Sequence, residues 1–98
     1  MTNDELREKI REIILDEEIL NEIILLEGDE FADGAVGISD NYHIIYDYDQ
    51  LVHSLMSHDD LSFDDAVDML EYNTLRALPY MQSQGRAPII MNSFEIKF

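Results

Sequence analysis

The sequence predicts an α+β domain. A small antiparallel sheet is built on a central hairpin at about 35–46, and three helices, at about 3–20, 49–57 and 63–78, pack on one face of it. Three observations predict this. Apolar residues recur at helical spacing behind capping residues in three places. Two short branched and aromatic runs flank Asp40-Asn41. A third such run, 88–91, follows the last helical pattern. Helices gathered on one side of a short antiparallel sheet are the usual way to bury such elements. At 98 residues the chain makes a single domain, 1–98, with one modest core.

The first helix opens on a capping box. Thr2 stands three residues before Glu5, and Asp4 and Glu5 suit the positive end of the helix dipole. Leu6, Ile10, Ile13 and Ile14 form its apolar stripe. Arg7, Lys9 and Arg11 are the one local group of cations, and each has an acid within a turn. From Asp16 the pattern permits two continuations: helix to Leu26, or a break near Asn21 followed by a strand at 23–26. Residues 27–34 read as a loop in which Gly28 and Gly34 can take positive φ.

The runs 35–39 and 42–46 make the hairpin. Asp40 and Asn41 are turn residues that tolerate left-handed backbone, and Gly37 signals a bulge or a close neighbour. Asp47 or Asp49 then caps the second helix, whose apolar face is Leu51, Val52, Leu55 and Met56. Ser62 with Asp65 starts the third helix, Phe63, Val67 and Leu70 line it, and Pro79 is expected to end it. A flexible loop over 80–87 leads to the strand at 88–91, and 94–98 reads as a second strand or an ordered tail.

The formal net charge is -16. Binding to a nucleic-acid backbone rests on Lys and Arg, so direct nucleic-acid binding is not expected. The absence of cysteine excludes a disulfide scaffold, a thiol nucleophile and a cysteine zinc site. The charged N-terminus lacks the plan of a secretory signal, and no apolar run reaches the ~20 residues of a membrane span. A soluble, cytoplasmic protein is expected.

Segments from Ala35 onward carry a resemblance. Tyr46-Asp47-Tyr48-Asp49 at a helix start, Tyr72-Asn73-Thr74 in an acid-rich helix and a closing Pro88-Ile89-Ile90 strand, over roughly 23–91, resemble a group of small acidic proteins of bacteriophages and mobile elements. The resemblance implies a genomic setting and brings no catalytic residues. Inhibitors of host defence, anti-CRISPR proteins among them, recur among small acidic phage proteins.

Chemistry is weakly signalled. Asp49 and His53 stand one turn apart near Asp47, a pattern that suits a divalent cation but that helix-capping aspartates and a surface His53 account for without one. The loop from Asp29 to Asp40 has Phe31 where a calcium ligand belongs. None of the serines lies in a nucleophile elbow, and there is no glycine-rich phosphate loop. No catalytic residue, metal or cofactor is expected.

What the pattern favours is an acidic surface. No Lys or Arg occurs between Glu12 and Leu75. Asp47, Tyr48, Asp49, Asp59, Asp60, Asp64, Asp65, Asp68 and Glu71 are the expected partner-binding residues. The expected partner is a host protein with a basic surface, for which a CRISPR effector is the most concrete form. A single-sign surface steers such a partner. Of the remaining tyrosines, Tyr46 and Tyr72 are expected in the core and Tyr80 at an interface. Two other readings stay open: a structural or homodimerising protein, and an acidic antitoxin-like partner of a basic protein.

Overall fold

A computed structural model describes residues 1–94. Beyond Phe94, the strand or tail expected over 94–98 lies outside the described residues. Among the described residues five α-helices stand where three were expected: α1 (Asn3–Ile13), α2 (Glu17–Glu22), α3 (Tyr48–Asp59), α4 (Phe63–Met69) and α5 (Leu78–Gln84). The strands are β1 (Ala35–Ile38), β2 (Ile44–Asp47) and β3 (Ile89–Met91), in sheet order β1-β2-β3.

The capping box of α1 is complete. The Glu5 amide donates to the Thr2 hydroxyl at 3.2 Å, and the Thr2 amide donates to the Glu5 carboxylate at 2.9 Å. Leu6, Ile10 and Ile14 enter the core, whereas Ile13 stays outside. The helix does not run on to residue 20. Ile14 turns extended, and the Asp16 carboxylate accepts the Glu18 amide at 2.9 Å, so a new helix starts there. An aspartate followed by two glutamates is a helix-start signal that outweighed the continuing periodicity.

Neither alternative for 23–26 holds in full. Ile23 makes a single parallel bridge to Arg86, after which Leu25 and Leu26 turn into the core. Side chains satisfy the buried backbone of Leu26 in place of a ladder. Its amide donates to the Tyr46 hydroxyl at 3.2 Å, and its carbonyl accepts from the Asn3 side chain at 3.1 Å. Residues 29–34 form a 3₁₀ turn packed against α3 with Phe31 and Ala32 buried. Gly28 takes φ 112°, as expected. Gly34 is needed for a different reason: a Cβ there would stand 2.6 Å from Leu51 Cδ2.

β1 and β2 pair antiparallel, and the register slips between Ala35 and Gly37, the expected bulge. The hairpin loop has three residues between Ser39 and His43, and Tyr42, not Asp40 or Asn41, takes the left-handed backbone at φ 64°. That is the geometry of a turn followed by one left-handed residue.

The sheet is mixed, not wholly antiparallel. β3 runs parallel to β2, with Ile45, Tyr46 and Asp47 opposite Ile89, Ile90 and Met91. Everything between them, α3 to α5, is the crossover that a parallel pair requires. The third predicted helix also differs. After α4 the backbone widens into a π turn (Leu70–Thr74), tightens into a 3₁₀ turn (Leu75–Ala77) and restarts as α5. Pro79 lies in the first turn of α5, where its missing N–H costs nothing, and so begins a helix instead of ending one. The loop expected from residue 80 is therefore helical as far as Gln84.

The core joins Leu6 and Ile10 of α1, Ile44 and Tyr46 of β2, and Leu51 and Leu55 of α3, with Leu70 closing it. No helix among the described residues is long and apolar enough to cross a membrane.

Candidate interaction surface

The nine predicted residues do not share one environment. Asp47 is fully buried. It ends β2 and caps α3, its carboxylate accepting the Asp49 amide at 3.0 Å, so it leaves the candidate surface. A strand that passes straight into a helix puts its last residue under that helix. Tyr48 and Asp49 are half-buried in the first turn of α3. Asp59, Asp60, Asp64, Asp65, Asp68 and Glu71 are exposed.

Two observations bring the exposed acids together. Only Asp60, Leu61 and Ser62 separate α3 from α4. Glu71, just past the end of α4, accepts a hydrogen bond at 2.9 Å from the hydroxyl of Tyr48, the first residue of α3. α4 therefore runs back along α3. Asp59 and Asp60 stand beside Asp64 and Asp65 at one end, Asp68 lies between, and Glu71 stands near Asp49 at the other. With ~1.5 Å of rise per residue, the ribbon is about 15 Å long. It carries seven carboxylates, Asp49 included. That is roughly one per 2 Å, comparable with the one phosphate per ~1.7 Å along the axis of a DNA duplex.

The helices hold these acids at unequal cost. Asp64 and Asp65 lie in the first turn of α4, where the dipole favours them, and the Ser62 hydroxyl caps the helix by accepting the Asp65 amide at 3.2 Å. Asp59 and Asp60 lie at the end of α3, where the dipole opposes them, and Asp60 takes left-handed backbone at φ 52°. None of Asp59, Asp60, Asp64, Asp65 and Asp68 forms an ion pair with a described residue. Tyr48 is different in kind. Burial first, then the Glu71 hydrogen bond and the Glu71 and Asp49 charges, push its phenol up to about 12.

Sequence reasoning missed a neighbouring feature. A groove of about 530 Å³ lies between residues 24–31 and the path from α4 to α5. Leu25, Phe31 and Leu55 form its apolar floor, and Met69, Ala77 and Met81 its helical wall. Asn73 and Thr74 reach it from the π turn, Tyr80 is at its lip and 69% exposed, and Glu27 and Glu30 stand on the other side. No local pattern signalled it, because the groove exists only where the π turn and α5 follow α4. Tyr72, expected in the core, is 69% exposed.

Asp49 and His53 remain one turn apart on α3, and no group of three or more His, Asp or Glu able to hold a metal ion occurs among the described residues. No protein-family model matches the chain, and no curated protein or solved structure matches it.

Proposed function

We infer that the chain is an inhibitor that binds a basic, nucleic-acid-binding host protein through the acidic ribbon of α3 and α4, in the manner of an anti-CRISPR protein occupying the channel of its effector. The observation that carries this is the density of carboxylate along the ribbon, six of the seven exposed and the spacing comparable with that of duplex phosphate, with no cation of the described chain pairing the acids from Asp59 to Asp68. A surface of this kind competes for lysines and arginines arranged to hold phosphate, and its association is fast at low salt. The phage setting implied by the resemblance agrees with such a role. The ribbon serves as a binding surface, and no step of chemistry is assigned to it.

The test is capture of partners from a bacterial lysate on tagged protein, followed by elution with salt and, separately, with DNA. A basic nucleic-acid-binding protein should be retained at low salt and released by either eluent. A variant carrying Asp59→Lys, Asp60→Lys, Asp64→Lys and Asp65→Lys should fold and retain nothing. Equal retention by that variant sinks the reading.

Self-association is a second reading with its own observation. Ile13 and Val36, 69% and 48% exposed, line one shallow apolar depression between α1 and β1, beside Lys9 and away from the ribbon. Sedimentation would decide it: a monomer at high concentration removes this alternative.

A further inference from the structure

We propose that the groove between residues 24–31 and the α4–α5 path seats an apolar side chain from a basic amphipathic segment of the partner, with Glu27 and Glu30 pairing the Lys or Arg residues beside it. This rests on the reading of the chain as a binder of a basic protein and assigns that partner a second point of attachment.

The groove has the form of an anchor site. Its floor is apolar and belongs to the core, since Phe31, Leu25 and Leu55 are each at least 95% buried. A volume of about 530 Å³ exceeds what one leucine or phenylalanine side chain needs and falls in the range of sites that enclose a ligand. Charge complementarity selects the occupant. Among the described residues no Lys or Arg lines the groove, and its carboxylates, Glu27 and Glu30, leave an apolar interior beside a negative rim. Its helical wall is continuous with the ribbon: Met69 follows Asp68, and Asn73 lies two residues past Glu71. A segment with an apolar anchor and flanking cations would fill the groove and extend onto the ribbon. Acids alone steer but hold weakly in salt, whereas a buried anchor slows dissociation.

The experiment uses the full chain and three short synthetic peptides: an amphipathic Lys/Leu peptide, the same peptide with Leu replaced by Gln, and one with Lys replaced by Ser. The Lys/Leu peptide should bind about tenfold or more tighter than either of the others. Ala77→Trp, which fills the groove and leaves the ribbon intact, should abolish the advantage of Leu over Gln. Because Trp at that position risks unfolding, amide shifts on the unaltered protein give a second reading. The Lys/Leu peptide should move Asn73, Thr74, Ala77 and Gln84, and the Gln peptide should not.

If the Lys/Leu and Lys/Gln peptides bind alike and both are lost on reversing Asp59 to Asp65, the groove proposal falls and the ribbon stands. If the Leu advantage survives in folded Ala77→Trp protein, the groove proposal also falls. A Ser/Leu peptide that binds as tightly as the Lys/Leu peptide overturns the basic partner in favour of a neutral apolar ligand. If the Leu advantage disappears with Ala77→Trp but binding ignores salt and ribbon reversal, the anchor stands and the ribbon reading fails.

Discussion

Two charged regions of this molecule use charge in opposite ways. At one, a single cation is surrounded by partners. Arg86 donates to the Glu22 carboxylate at 2.7 Å and to the Asn41 carbonyl, and its guanidinium lies 6.0 Å from the centre of the Tyr42 ring. Its own backbone ties Glu22 and Ile24 to the entry of β3, while His43 Nδ1 and the Ala87 carbonyl meet at 2.7 Å. At the other, on the ribbon, acids from Asp59 to Asp68 have no cation among the described residues. The junction closes α2, the hairpin and β3 into one body. The ribbon adds repulsion and no closure. Charge whose partners lie within the chain is structural; charge without them is available to another molecule.

The comparison predicts opposite signs on substitution. The largest effect belongs to the junction backbone. A Cβ on Gly85 would stand 2.6 Å from the Glu22 carbonyl oxygen, which already accepts the Arg86 amide at 2.8 Å. Backbone there cannot move aside as the end of a side chain could. Gly85→Ala should lower stability by about 2–3 kcal/mol, read from the urea midpoint. A change within error would mean that the junction yields and is no closure point.

Arg86→Ala comes next. The ion pair with Glu22 is exposed enough to contribute little alone, with the two side chains 28% and 53% accessible. The Asn41 carbonyl also loses its donor and the arginine stem loses its packing, so about 1–2 kcal/mol should disappear. Most of the loss should persist in high salt, because only the ion pair is screened.

On the ribbon the sign reverses. Asp60→Gly places the residue that best tolerates left-handed backbone at φ 52° and removes a negative charge from the dipole's negative end. Stability should rise by about 1 kcal/mol at low salt, with less gain at high salt, while binding to a basic partner weakens. A substitution that stabilises the fold and harms binding would mark Asp60 as retained for its surface.

How far these regions are legible in the sequence follows from the range of the forces that form them. Caps are local, so Thr2 with Glu5 and Ser62 read directly, and Gly37 announced the bulge. Asp59, Asp60, Asp64, Asp65, Asp68 and Glu71 face water, as a run of acids in a chain this acidic favours. Asp47 does not, because strand-to-helix passage buries a cap that looks identical to a surface one. The parallel direction of β3 was not legible either, since Ile89 and Ile90 would suit a strand of either direction and only the crossover decides. The junction escaped notice because Glu22, Asn41 and Arg86 are far apart in the chain. Pro79 misled for a local reason: the rule that it ends a helix also allows it to begin one.

The smallest effect tests the link that makes the ribbon a ribbon. The Tyr48 hydroxyl, by donating to Glu71, holds the end of the α4 path to the start of α3. Tyr48→Phe should lower stability at neutral pH by about 0.5–1 kcal/mol, one hydrogen bond's worth at a half-buried site. The pH dependence is more specific. Burial and the Glu71 carboxylate raise the folded-state value from 10.0 to about 12, so on going up in pH the unfolded chain loses this proton first. The contribution is whole below pH 10 and is lost as pH rises from 10 through 12. Tyr46, buried and raised chiefly by that burial, adds a loss of the same sign that Tyr48→Phe leaves in place. The unaltered protein should therefore lose stability more steeply than Tyr48→Phe across that window, with the Tyr48 phenol followed by its own NMR signal. Coincident curves would mean that the hydrogen bond does not hold α4 along α3, and the duplex-like spacing of the carboxylates would lose its structural basis.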